Sequence, residues 1–449
     1  MAPDSTLYDV LSVTLATLLV GFVLAGCIRR LKRSRPELAV GSAMAVGVGV
    51  RLAAIFAVSL TGVELTLRGG DELKFLQGAR TIAASGFDSG LWLPSDLYRL
   101  HEIVFALQIK FADFPQTALR VTQVGIAMLG LVFIVAAVYD LAGPRAARVG
   151  AWVLALEPAS IFFNSILHRE PLLVLASGLV VFGGSKIWTR LELRGVLVLG
   201  LGCAVALGTR PYAAWFLMTG GLLLILHASL RQVGSTLRSI PLVYAVGVVI
   251  VVASPAVLAL TSQESLEQNL QGSQDANTAA NTRRGTEGSN NLSLERVDFS
   301  SRSDLVTNLP RRVRDVVLRP YPWQLQNTSQ QLGAIGTLVA LGALLLIFHY
   351  ARRNRGRAFA LTAPIIYPTV CLMAAYALSV GNAGTGFRYR THLVLLALAM
   401  LVVLREHALR SPATAAADVP SDGAERRSTT PGRAGQHPKA LPRRGSRLA

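Results

Sequence analysis

The sequence predicts an all-α fold: a polytopic transmembrane bundle of about eleven helices, with further helices in extracytoplasmic loops. Three observations carry this expectation. Of 449 residues, 52% are hydrophobic and only 16% charged, and the mean hydropathy of +0.46 is too apolar for an ordinary soluble domain of this size. Apolar runs long enough to cross a bilayer recur along the chain. Arginines fall in short clusters between those runs, as membrane topology requires.

The first run, 7–28, ends in Leu24-Ala25-Gly26-Cys27, which resembles a lipoprotein cleavage box. A secretory signal has a basic leading region, whereas here Asp4 and Asp9 precede the run and Arg29, Arg30, Lys32, Arg33 and Arg35 follow it. An uncleaved first helix with its N-terminus outside is expected. Further spans are expected at 38–62, 117–142, 148–165, 171–188, 195–209, 211–230, 240–261, 331–350, 358–380 and 391–405. Cys27, Cys203 and Cys371 lie in different runs, so neither a disulfide framework nor a metal knuckle is implied.

With the N-terminus outside, the short connections 29–37, 143–147, 189–194, 231–239 and 351–357 and the C-terminal tail face the cytoplasm. Each is basic, through Arg145, Arg190, Arg194, Arg231, Arg238, Arg352, Arg353, Arg355 and Arg357 among others. The expected location is the plasma membrane, multi-pass, with the C-terminus in the cytoplasm. The charge of +18 follows from this topology, and no nucleic-acid partner is expected.

Two long connections, 63–116 and 262–330, then lie outside. In the first, residues 71–84 and 98–112 have mixed helical periodicity and read as interfacial helices. The second opens with the polar tract 262–293, and order is expected to return near Leu305, leading to Arg319-Pro-Tyr-Pro-Trp323. Five regions result: 1–37, a first helix with a basic loop; 38–261, the main core with outer loop 63–116; 262–330, a large outer loop; 331–405, the closing helices; and 406–449, a disordered basic tail.

This topology gathers chemically capable residues at the outer helix ends: Asp71, Glu72 and Lys74; His101 and Glu102; His168, Arg169 and Glu170; Arg210 and Tyr212; Arg319; and Arg388, Tyr389 and Arg390. Acids lie mainly in the first loop and cations on later ones. That division suits a general base or metal site opposite an anion-binding rim. Arg and Tyr are common at any membrane interface, and Asp71-Glu72 could simply cap a helix, so the convergence matters more than any single residue. Arg51 and Glu157 fall within spans, where an ion marks a function or an internal partner, and Glu157-Pro158 could mark a kink.

The order of these features resembles the GT-C superfamily of integral membrane glycosyltransferases, which includes the protein mannosyltransferases and the lipid A aminoarabinose transferase. The likeness covers roughly 38–230: Asp71-Glu72 ahead of FLQGARTIAASGF, then ALRVTQVGIAMLGLVFIVAAVYDLAGPRAARVGAWVLALEPASIFFNSILHREPLL. An additional first helix and the closing Asn382 to Arg390 motif depart from the family pattern.

The resemblance implies catalysis by acids of the first outer loop, Asp71 with Glu72 and Glu102. It implies donor phosphate binding by Lys74, His168, Arg169, Arg210, Tyr212, Arg319, Arg388 and Arg390, and a divalent metal ion on Asp71, Glu102 and His101. The implied partners are a polyprenyl-phosphate sugar donor and an extracytoplasmic glycan, lipid or protein acceptor. An O-antigen-type polymerase or ligase would instead centre on Arg311, Arg312, Arg314 and Arg319. A transporter or flippase of lipid-linked sugar would use discontinuous helices and midplane charges.

Overall fold

A computed structural model describes residues 3–61, 71–85, 99–232, 302–321, 323, 325, 328–379 and 383–417. The expected span 240–261, the polar tract 262–293 and residues 418–449 lie outside the described residues. Among the described residues there is no strand. One compact unit covers Met1–Ala408 and another Leu409–Ala449.

The helices in chain order are α1 (Pro3–Ser34), α2 (Gly41–Thr61), α3 (Asp71–Ala84), α4 (Leu100–Ala112), α5 (Gln116–Ala142), α6 (Pro144–Ala155) and α7 (Pro158–Phe163). They continue with α8 (Glu170–Arg190), α9 (Leu193–Leu207), α10 (Pro211–Gln232), α11 (Arg302–Leu318), α12 (Thr328–Arg353), α13 (Ala358–Ser379) and α14 (Ala383–Ala417). Seven of the described helices, α1, α5, α8, α10, α12, α13 and α14, contain stretches long and apolar enough to cross a membrane. The chain is a multi-pass membrane protein. Gly41–Ala57 and Leu193–Leu207 are shorter apolar helices.

α5 and α8 form the centre, with 83% of each apolar stretch buried, whereas α1 and α12 bury only 22% and 17% and turn their leucines outward. Lipid is as apolar as leucine, so helices in a bilayer associate through close packing of small residues. Gly130 of α5 and Gly178 of α8 meet backbone to backbone: a Cβ on Gly130 would lie 2.6 Å from the Val174 carbonyl oxygen, and one on Gly178 would strike the Gly130 carbonyl. Gly183 of α8 and Gly195 of α9 repeat this close approach.

The region expected to form one span at 148–165 is broken instead. α6 ends at Ala155, and Glu157 takes an extended backbone (φ −64°, ψ 119°) before Pro158. A residue before proline is pushed out of the helical region, and proline offers no N–H. Glu157 then caps α7, its carboxylate accepting from the Ala159 N–H at 3.2 Å and from the Ser160 N–H. Arg51 of α2 is fully buried and donates to the carbonyls of Gly47 (3.0 Å) and Ala155 (2.7 Å) and to Ser160 Oγ (2.8 Å). Arg51 and Glu157 therefore share Ser160, and together they stabilise the break.

The connection between α2 and α5 contains α3 and α4, packed on each other near the boundaries expected at 71–84 and 98–112. The last helix runs past the expected end at 405, as far as Ala417. His407 explains its first extra turn, since Nε2 sits 3.0 Å from the Leu141 carbonyl oxygen at the end of α5.

Candidate functional site

At one end of the bundle, polar residues close over the starts of α3, α4, α5, α8, α10 and α14. Glu72, in the first turn of α3, is buried, and its Oε1 accepts from Arg120 Nε at 2.9 Å and from the Leu167 N–H at 3.1 Å. Arg120 also donates to Ser59 Oγ of α2 at 3.0 Å. This ion pair joins α2, α3, α5 and the turn 164–169. Removing one partner would leave an uncompensated buried charge, a loss of roughly 3–5 kcal/mol. Asp71 opens the same helix, but its side chain lies outside what is described.

Phe75, one turn further along α3, is the hub of the site. Its ring meets the edge of His101 at 4.4 Å between centroids and His168 at 6.1 Å, and the Arg169 guanidinium lies 4.9 Å from its centre. His101 is fully buried, and neither ring nitrogen has a hydrogen-bond partner among the described residues. Burial first, and then the charge of Arg169, hold its pKa well below the ordinary 6.5, so the ring is neutral. Glu102 Oε1 lies 3.7 Å from His101 Nε2, beyond hydrogen-bond reach. The Glu102 carboxylate pairs instead with Arg99, at 2.6 Å and 2.7 Å. It rests against Gly78, where a Cβ would collide with it. Leu100 N–H donates to the Gly208 carbonyl at 2.9 Å, fixing α4 beside the turn that carries Arg210.

Glu170, the first residue of α8, is buried and accepts from Arg210 at 2.7 Å. The Arg210 guanidinium lies 4.1 Å from the ring centre of Tyr389, and its other nitrogen is 3.5 Å from the Tyr212 hydroxyl. Arg388 reaches His168 Nδ1 at 3.2 Å. His392 Nε2 lies 3.3 Å from the Glu170 carbonyl oxygen, and its Nδ1 lies 2.9 Å from the Tyr376 hydroxyl.

The charge pattern follows from these pairings. Glu72, Glu102 and Glu170 each have their own arginine: Arg120, Arg99 and Arg210. Arg169 sits among them with no carboxylate within ion-pair distance among the described residues, and its buried Nε makes no hydrogen bond. Burial, then repulsion from Arg210, lowers its pKa. An unmatched guanidinium packed on an aromatic face beside a neutral imidazole is a seat for an anion, and phosphate suits its paired donors.

The expected site residues therefore divide. Glu72, His101, Glu102, His168, Arg169, Arg210, Tyr212 and Arg388 come together. Lys74 is exposed on α3. Arg390 donates to the carbonyls of Arg319 and Gly333 (2.7 Å) and to Thr337 Oγ1 (2.7 Å), tying α14 to α12 and to the end of α11. Arg319 belongs to a neighbouring group with Asp315, 3.4 Å away, and Tyr321.

Arg120 and Phe75 were not among the expected site residues. Arg120 had a readable signal: a cation inside an apolar run requires a partner. Phe75 had none, since one aromatic residue on an amphipathic helix is ordinary.

Among the described residues, no group of three His, Cys, Asp or Glu side chains could hold a metal ion. Cationic Arg169 beside His101, and Arg99 on Glu102, further disfavour a divalent cation at that pair. Asp71, the third residue of the expected metal set, has its side chain outside the described residues. No protein-family model matches the chain, and no curated protein or solved structure matches it.

Proposed function

We propose that this protein is a membrane glycosyltransferase that moves a sugar from a polyprenyl-phosphate-linked donor to an extracytoplasmic glycan, lipid or protein acceptor. The observation that carries this reading is Arg169, a half-buried guanidinium with no carboxylate partner among the described residues, flanked by His168, Arg388 and Arg210 at the bundle end where α3 begins. The order of features that resembles the GT-C superfamily also supports it.

In this reading Asp71 takes the proton of the acceptor hydroxyl as that oxygen attacks the anomeric carbon. The bond from that carbon to the phosphate oxygen breaks, and its electron pair leaves with the phosphate, so the configuration inverts. Arg169, with Arg388 and His168, stabilises the charge gathering on the leaving phosphate. Glu72 and Glu102 are positioning residues: the first holds the α3 start against α5, and the second fixes α4.

The proposed topology has eleven crossings. It adds to the seven long helices the shorter α2 and α9, the broken crossing of α6 and α7, and the segment 240–261. The N-terminus lies outside and the C-terminus in the cytoplasm, with the short basic connections on the cytoplasmic side.

The test supplies purified protein with a panel of polyprenyl-phosphate hexoses and pentoses and measures glycosidic bond formation. Wild type should form the bond, and Asp71→Asn at matched folding should lose at least about 100-fold, the range for a general base. Undiminished transfer by Asp71→Asn would refute the base assignment.

A second reading, transport of lipid-linked sugar, is favoured by one observation: the crossing broken at Glu157, with the buried cation Arg51 beside it. Movement of donor across vesicle walls with no bond formed would select it.

A further inference from the structure

The opposite end of the bundle holds a cavity of about 400 Å³ between the ends of α5, α8 and α10 and the start of α13, lined by Asp140, Trp188, Thr189, Arg231, Arg357 and Leu361. Asp140 does not make it acidic. Arg35 grips that carboxylate through two hydrogen bonds of 2.6 Å and 2.8 Å, and the Ser185 hydroxyl adds a third at 3.2 Å.

The net charge comes from the two arginines. Arg231 is held in place, its guanidinium 4.0 Å from the Trp188 ring centre and donating to the Trp188 carbonyl at 2.7 Å. Arg357 stands immediately before α13, and its side chain makes no hydrogen bond or ion pair with the described residues. The first turn of α13 contains no acid, and the earliest backbone bond of that helix outside the element itself is from Leu361 N–H to the Arg357 carbonyl. The N–H groups of Ala358, Phe359 and Ala360 thus add the positive end of a helix dipole to the cavity. Two guanidinium groups, free amides and a tryptophan suit a phosphate diester or monoester.

What lies beside the cavity distinguishes a lipid from a soluble phosphate. α10 carries an outward stripe of Leu223, Leu226 and Leu230, exposed by 42%, 45% and 63%, and Phe359 of α13 is exposed by 43%. This stripe leads from the bundle side to Arg231 at the helix end, as an acyl chain leads to its headgroup. We propose that the cavity binds the phosphate headgroup of an anionic phospholipid, with an acyl chain along the α10 stripe. Basic pockets between membrane helices are suited to such headgroups. The site is separate from Arg169 and does not depend on the transfer reaction.

The test uses the full chain in neutral detergent, titrated with dioleoyl phosphatidylglycerol, dioleoyl phosphatidylcholine or inorganic phosphate, with bound lipid counted by native mass spectrometry. Wild type should retain phosphatidylglycerol and not phosphatidylcholine. Arg357→Gln, which breaks no hydrogen bond or ion pair with the described residues, should bind it about fivefold more weakly, and the double variant with Arg231→Gln weaker again. Arg190→Gln, at the same end but outside the cavity, should bind as wild type. Equal retention by Arg357→Gln and wild type, or equal binding of the two lipids, would overturn the site. Displacement of the lipid by millimolar inorganic phosphate would reassign the cavity to a soluble ligand and likewise overturn the lipid assignment.

Discussion

Glu72 and Arg169 show how the same kinds of group serve opposite ends within one site. Glu72 accepts from Arg120 and from the Leu167 N–H and its charge is paired, so its contribution is to hold α3 in place. Glu72→Gln keeps the shape but leaves Arg120 buried and unmatched, and should destabilise the protein by about 3–5 kcal/mol, read by unfolding in mixed micelles. Arg169→Ala should leave stability nearly unchanged and lower transfer by about 100-fold. His101 offers a pH test. Its folded pKa lies well below 6.5, so the unfolded chain takes up a proton that the folded chain refuses. Its contribution is undiminished above pH 6.5, and the protein loses up to about 1.4 kcal/mol per pH unit as pH falls below that value. His101→Phe, which retains packing between Phe75 and Phe105, should remove that part of the slope.

Among the elements, α7 and the α5–α8 pair are the most sensitive. Glu157→Ala removes both capping contacts of α7 and should cost about 1–2 kcal/mol, with altered access at Ser160 as the checkable local effect. Gly130→Leu has no room, because the α8 backbone occupies the site of its side chain. It should abolish the folded state, seen as loss of a monodisperse peak in detergent. Much of this level was legible in the sequence: α1, α5, α8, α10, α12 and α13 begin or end within several residues of the apolar runs that announce them. The broken crossing was legible only in part. Hydropathy across 148–165 is continuous, and the break comes from Pro158 and from hydrogen bonds that periodicity does not record. The first extra turn of α14 is held by the contact of His407 with α5, 266 residues away in sequence, which no local pattern could signal.

For the whole molecule, the sequence pattern placed Asp71-Glu72, His101-Glu102, His168-Arg169 and Arg388 on one face through topology alone, and the fold brings the described members of that set to one bundle end. It could not say which cations would be matched. That depends on side-chain pairing: Arg390 ties helices together through carbonyl groups, while Arg169 has no carboxylate partner among the described residues. Among the described residues the ends of the bundle thus differ in kind, one holding carboxylates, histidines and a guanidinium with no carboxylate partner, the other an Arg35–Asp140 clamp beside a basic cavity.

The most direct measurement is the Michaelis constant for a polyprenyl-phosphate sugar in reconstituted protein, comparing wild type with Arg169→Gln at matched folding. If Arg169 holds the donor phosphate, the constant should rise at least about tenfold, the effect of losing one charge-assisted contact. An unchanged constant, with transfer intact, would contradict the placement of the donor at this end of the bundle.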